Sequence, residues 1–257
     1  MTAALFDAGS QGVHEDGDAL VTHFPPDEDA DAVVAAVRAA DPSAVVSVHD
    51  VPAVHWSEWR ASVGAHQVGR LVVTPPWLAA EFDPASTIVI DPAMAFGTGE
   101  HPTTRGMLRL MQQVIRQGDT VADLGAGSAV LSIAAAKLGA SRIAAIEIDD
   151  GAESSAMDNI RANGVEQSIR YLVGDALVLL ALVAPVRVIL ANIVSSVLVE
   201  LLPGIAASLA DDGVAMLSGI LVDERDLMIR AIGRAGLSVI QQEVEGDWLS
   251  LAVQRTP

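Results

Sequence analysis

The sequence predicts an α/β protein: a doubly wound, mostly parallel seven-stranded sheet ending in an antiparallel hairpin, with a small α+β domain at its N-terminal side. Three observations predict it. From residue 120 onward, near-continuous apolar strands alternate with helical segments, the pattern of a parallel sheet covered on both faces. Those helical segments stop at Gly139, Asn163-Gly164 and Gly236, residues that tolerate a left-handed cap. The last two strands flank Glu245-Gly246-Asp247, a turn that suits an antiparallel hairpin.

The elements follow in order. A strand over 19–24 ends at Pro25-Pro26, and the acidic run from Asp27 to Asp31 caps a helix over 32–40, because carboxylates favour a helix N-terminus. A further strand over 44–49 completes a small α+β domain over 1–50. Residues 51–77 hold Trp56, Trp59 and Trp77 and read as a linker that packs on something. The main domain spans 78–257. Its strands fall at 120–124, 142–148, 169–173, 186–191 and 213–218, its helices at 128–138, 152–162, 196–209 and 223–234. The hairpin occupies 237–244 and 248–253.

Composition narrows the partners. The 257 residues carry 33 acids against 15 bases, a net charge of −18, and Lys137 is the only lysine. Nucleic-acid backbones and anionic membranes need a basic face, so neither is expected to bind directly. There is no cysteine, which removes disulfides, thiolate nucleophiles and sulfur-built zinc sites. No metal site is expected, since the six histidines show no zinc spacing. The start lacks the cationic and apolar segments of a secretory signal. The longest strongly apolar run, 176–186, contains Pro185 and falls well short of the ~20 residues of a membrane helix. A cytoplasmic monomer is expected.

The sharpest motif is Val121-Ala-Asp-Leu-Gly-Ala-Gly-Ser-Ala129, a strand running through a glycine turn into a helix. Glycines there let the backbone approach a ligand, and the helix N-terminus favours negative groups. The dinucleotide fingerprint asks for Gly or Ala where Val130 stands. Asp123, two residues before Gly125, fits instead the Asp-x-Gly-x-Gly turn of S-adenosylmethionine enzymes. Glu147 ends the next strand, about 20 residues further on, where an acid can bond both ribose hydroxyls. Asp149 is its rival, with helix capping as the plainer role.

Together with Asp91-Pro-Ala-Met-Ala-Phe-Gly-Thr-Gly-Glu-His-Pro-Thr-Thr104, Ile146-Glu-Ile-Asp149, Ala191-Asn-Ile193 and Leu217-Ser-Gly-Ile220, this turn resembles the bacterial ribosomal protein methyltransferases that modify large-subunit protein eleven. The resemblance covers Trp56 to the C-terminus, with a weaker likeness from Leu5. It implies a class I S-adenosylmethionine-dependent methyltransferase sheet and a small substrate-recognition domain, here shortened at its start. It further implies methylation of lysine side chains and the N-terminal amine of the ribosomal protein. Position by position, Thr104, Gly125, Glu147 and Asn192 match donor contacts, and Phe96 and Gly97 match a loop that closes over the cofactor; Gly127 is expected to join them as part of the glycine turn. The family usually has glycine at Ala129 and aspartate at Glu147. No residue is identified as a general base. Two other readings stay open: a methyltransferase of this fold acting on another protein lysine or small amine, and a protein that binds the cofactor without turnover.

Overall fold

A computed structural model describes residues 5, 9–10, 13–16, 19–24, 29–49, 63–92 and 99–256. By its contacts the chain divides into two units, Met1–Trp59 and Arg60–Pro257.

In the first unit, β1 (Val13–Asp16) and β2 (Ala19–Thr22) pair antiparallel, and α1 (Ala30–Ala40) follows. Asp29 opens α1 by accepting the backbone N–H groups of Asp31 and Ala32 at 3.0 and 3.4 Å. The acidic run thus supplies the cap expected of it. The strand expected over 44–49 does not form, and Val45 is 100% exposed. A lone extended segment gains little without a neighbour for its backbone groups.

The second unit opens with β3 (His66–Val68), β4 (Leu71–Thr74) and β5 (Thr87–Val89). The first pair is antiparallel and the second parallel. Residues 66–74, which the sequence reading puts in a linker, are therefore two strands, and all of β4 is buried. Gly69 turns between them with φ +60°, and strands this short display no alternation to read.

The helix α2 (Pro102–Val114) leads into the large sheet. Along the chain come β6 (Thr120–Leu124), α3 (Val130–Lys137), β7 (Arg142–Glu147), α4 (Glu153–Ala162) and β8 (Ile169–Val173). Then follow α5 (Ala176–Val183), β9 (Val186–Asn192), α6 (Ser195–Ser208), β10 (Leu209–Leu221) and α7 (Arg225–Arg234). The hairpin β11 (Leu237–Glu245) and β12 (Trp248–Arg255) ends the order β11-β12-β10-β9-β6-β7-β8. Strands β10, β9, β6, β7 and β8 run parallel, while β12 is antiparallel to both neighbours.

Alternate residues of each central strand face opposite sides, and two cores result. Val121, Val188 and Leu190 pack with Met107, Ile133 and Ile160 from α2, α3 and α4. Ala122, Ile189 and Ala191 pack with Leu180, Leu198 and Met228 from α5, α6 and α7. The apolar run at 176–183, given no element in the sequence reading, is α5. Asp175 caps it by accepting the N–H of Leu177 at 2.8 Å. On α3, the Lys137 ammonium donates to the Pro84 carbonyl at 2.9 Å, and burial lowers its pKa against the pull of Asp83. Among the described residues no helix is long and apolar enough to cross a membrane.

The sheet grows in one direction from β6 through β7 to β8 and in the other through β9 to β10. That reversal makes the carboxyl ends of β6 and β9 a topological switch point, where such sheets form a crevice.

Candidate active site

The glycine turn leaves β6 with three left-handed residues: Gly125 at φ 68°, Gly127 at φ 49° and Ala129 at φ 64°. Glycine adopts this backbone freely, while alanine pays roughly 1–2 kcal/mol for it. Gly125 is needed for space as well. A Cβ there would sit 2.9 Å from Cγ1 of Ile193, the residue after Asn192. The N–H groups of Gly125 and Ala126 donate to the Ile146 carbonyl at 2.9 and 3.0 Å, fastening the turn to the end of β7.

The next peptide of the turn is held from both sides. Gly127 donates its N–H to Glu147 Oε2 at 2.9 Å, and its carbonyl accepts the Tyr171 hydroxyl at 3.1 Å. Burial, and then the charge of Glu147, push the Tyr171 phenol up, so it stays a donor. Glu147 Oε1 also accepts the N–H groups of Ile148 and Asp149, at 2.9 and 3.1 Å. Three of the roughly four lone-pair sites of this carboxylate are therefore taken by backbone, and one on Oε2 is left. Asp149 is exposed and caps the following 3-10 turn through the N–H of Gly151 at 2.9 Å. Beneath the turn, Asp123 is buried and accepts the Ser132 hydroxyl at 2.7 Å. Burial pushes its pKa up to about 7, against the Ser132 hydrogen bond and with a smaller push from Glu147.

Asn192 ends β9 half-buried, directly opposite Ser218 of β10. The Ser218 hydroxyl lies 2.7 Å from that of Ser250 and 3.4 Å from the Thr103 carbonyl. The first turn of α2 therefore lies against the same edge of the sheet as Asn192. In that turn Thr104 is fully buried, and its Oγ1 has no hydrogen-bond partner. Phe96 and Gly97 lie outside the described residues.

The hairpin tip is tied to α2. The Arg105 guanidinium donates to Glu245 Oε1 at 2.6 Å, and Arg109 pairs with Oε2 at 2.6 Å. His101 caps α2 by accepting the Thr103 N–H at 3.4 Å, and its ring meets Trp248 edge-on with centroids 4.9 Å apart. The sequence reading missed Tyr171, the Ser218–Ser250 pair and Glu245. Only Tyr171, the sole tyrosine, carried a signal that could have been read.

Chemically, this edge offers an anion-favouring glycine turn, a carboxylate on β7, an orphan hydroxyl on α2 and a side-chain amide at the end of β9. The chain matches the ribosomal protein L11 methyltransferase (PrmA) family over residues 3–256. It is 36% identical over 216 residues to the ribosomal protein L11 methyltransferase of Pelotomaculum thermopropionicum, covering 83% of this chain and 70% of that one. It is 38% identical over 187 residues to that of Streptococcus mutans, covering 72% of this chain and 58% of the other. Part of the length of both relatives thus lies outside the match. Among solved structures, the ribosomal protein L11 methylase of Lactobacillus delbrueckii subsp. bulgaricus superposes with a TM-score of 0.68 at 28% identity, covering 76% of this chain and all of that one.

Proposed function

Because the chain belongs to the ribosomal protein L11 methyltransferase family, we propose that it methylates lysine side chains and the N-terminal amine of that ribosomal protein, with S-adenosylmethionine as donor. The observation that carries this reading is the meeting, at one sheet edge, of the glycine turn and Glu147 with Asn192 and the first turn of α2. The residues fit the donor. The buried Thr104 hydroxyl lacks a partner and suits a carboxylate, and a Cβ on Gly125 would crowd the floor of the turn. On this reading Thr104 holds the amino-acid end of the donor, Gly125 and Gly127 line its path, and Glu147 takes the ribose with the acceptor site left on Oε2. The resemblance would assign Phe96, outside the described residues, to the loop that covers the donor.

The donor, when bound, supplies a methyl group activated on a sulfonium. The chain's own work is then to hold a neutral amine in line with it, and such positioning is worth roughly 7–11 kcal/mol. The Asn192 amide oxygen accepts from the incoming amine and fixes its lone pair. The lysine proton, with a pKa of ~10.4 in water, leaves to solvent before transfer. His101 is occupied as the cap of α2 and serves as no base here. The same reading places the protein in the cytoplasm as a monomer, touching ribosomal protein and not nucleic acid.

The test is transfer of labelled methyl from S-adenosylmethionine to ribosomal protein L11 from undermethylated cells, followed by identification of the methylated amines. Label on lysine and the N-terminal amine is the expected result. Label confined to other groups, or none, rejects the reading.

A further inference from the structure

We propose that Glu224 is the specificity residue that receives the cationic amine of the protein substrate before transfer; this rests on the amine-methylation reading above. A lysine reaches the enzyme as an ammonium with three donors at the end of an apolar stem. Its receiving site needs an ionised acceptor with free lone pairs, apolar flanks, and a place beside the methyl-transfer point.

Glu224 offers the acceptor and the apolar flanks, and its bond to Ser195 ties it to the segment that follows Asn192. It lies in the 3-10 turn Val222–Glu224 that follows β10, at the carboxyl edge that also carries Asn192. Its Oε1 accepts the hydroxyl of Ser195 at 2.6 Å, three residues after Asn192, and its Oε2 accepts the N–H of Leu221 at 2.9 Å. Each oxygen keeps a further lone pair, and Ser195, having donated, can still accept. These two hydrogen bonds, Ser195 first, hold the Glu224 carboxyl below its ordinary range. It is thus ionised and unsuited to act as the base.

The segments it joins are packed tightly. The N–H of Ile193 donates to the Ser218 carbonyl at 3.1 Å, and a Cβ on Gly219 would lie 2.4 Å from the Ile193 carbonyl. The carboxylate is consequently fixed in place relative to Asn192. Around it Val194, Leu221 and Val222 stand 61%, 41% and 37% exposed, apolar surface for the methylenes of a lysine. The nearby charges leave it available. Arg225 donates to Gln242 at 3.1 Å, Glu245 is taken by Arg105 and Arg109, and Glu224 enters no ion pair among the described residues.

Glu224→Gln keeps acceptors for Ser195 and Leu221 and removes the charge, so it separates recognition from capping. With saturating S-adenosylmethionine, its KM for ribosomal protein L11 should rise about five- to tenfold, with turnover recovering at high protein concentration. Glu224→Lys should raise KM further. Donor affinity by calorimetry and the melting temperature of Glu224→Gln should stay at wild-type values. A KM within twofold of wild type overturns the proposal. So does a parallel loss of melting temperature and donor affinity, which would make Glu224 a cap only. A wild-type protein that methylates no amine sinks the activity reading instead. Equilibrium binding of ribosomal protein L11 to the donor-loaded protein then decides Glu224, with equal affinity in wild type and Glu224→Gln counting against it.

Discussion

Asp123 and Glu147 are carboxylates on the neighbouring strands β6 and β7, one buried and one half-buried, and each carries its own prediction. Burial lifts Asp123 from 3.8 to about 7, so the folded protein holds its proton more tightly than the unfolded chain does. Its contribution to stability is then fullest at the acid end and declines as pH rises towards about 7. Asp123→Asn should flatten that decline, read as the difference in unfolding midpoint between variant and wild type across the range. An unchanged difference would mean that the carboxyl is hydrated. Glu147→Ala removes the tie to Gly127 together with the proposed ribose contact. Donor affinity by calorimetry should fall at least about tenfold, since hydrogen bonds to a charged group are worth ~1.5–3 kcal/mol. Asp149→Ala should cost much less, because Asp149 only caps a short turn; the reverse ranking would give the ribose to Asp149. Ala129 is announced only by the glycine usual there in the family the chain resembles, not by alanine itself. Its left-handed backbone follows from the turn around it.

Where an element is pinned matters more than how it is patterned, and the hairpin shows it. Burial alone would raise the Glu245 carboxyl, but Arg105 and Arg109 overcome this and hold it below its ordinary range. The pin therefore acts at neutral pH and is lost as pH falls through the carboxylate range. Glu245→Ala should lower stability by about 1 kcal/mol at neutral pH, most of it vanishing in acid, with thermal unfolding as the measure. A variant as stable as wild type at neutral pH would show the cluster to be idle. Such pins were invisible beforehand because Arg105 and Glu245 are 140 positions apart and meet only through the register of β12 on β10. What could be read was local. The strand at 169–173 matches β8 residue for residue, and the helix stops at Gly139 and Gly236 mark real left-handed turns. β3 and β4 were missed for want of length. α5 was missed because an all-apolar run has no period to distinguish helix from strand. At the site, the glycine turn and Glu147 were legible as a motif. The Tyr171 clamp and the Ser195–Glu224 pair were not, because each joins separate elements.

For the molecule as a whole, the division at Trp59 and Arg60 allows the proposed roles to be separated. We assign capture of the protein substrate to the N-terminal unit and donor binding to the second. A chain beginning at Arg60 should fold and bind S-adenosylmethionine with wild-type affinity, yet methylate ribosomal protein L11 far more slowly. Equal rates would remove the capture role, and loss of donor binding would show the first unit to be a packing partner. Capture by a chain of net charge −18 should also weaken with salt, over a Debye length of ~8 Å at physiological ionic strength. The same composition leaves one lysine, Lys137, with its ammonium on the Pro84 carbonyl. Acylating reagents and amine-to-amine crosslinkers consequently have almost nothing on this protein to attack beyond Lys137 and the terminal amine. In a mixture of the two proteins, nearly every blocked, tagged or isotope-marked ε-amine found by mass spectrometry belongs to the substrate.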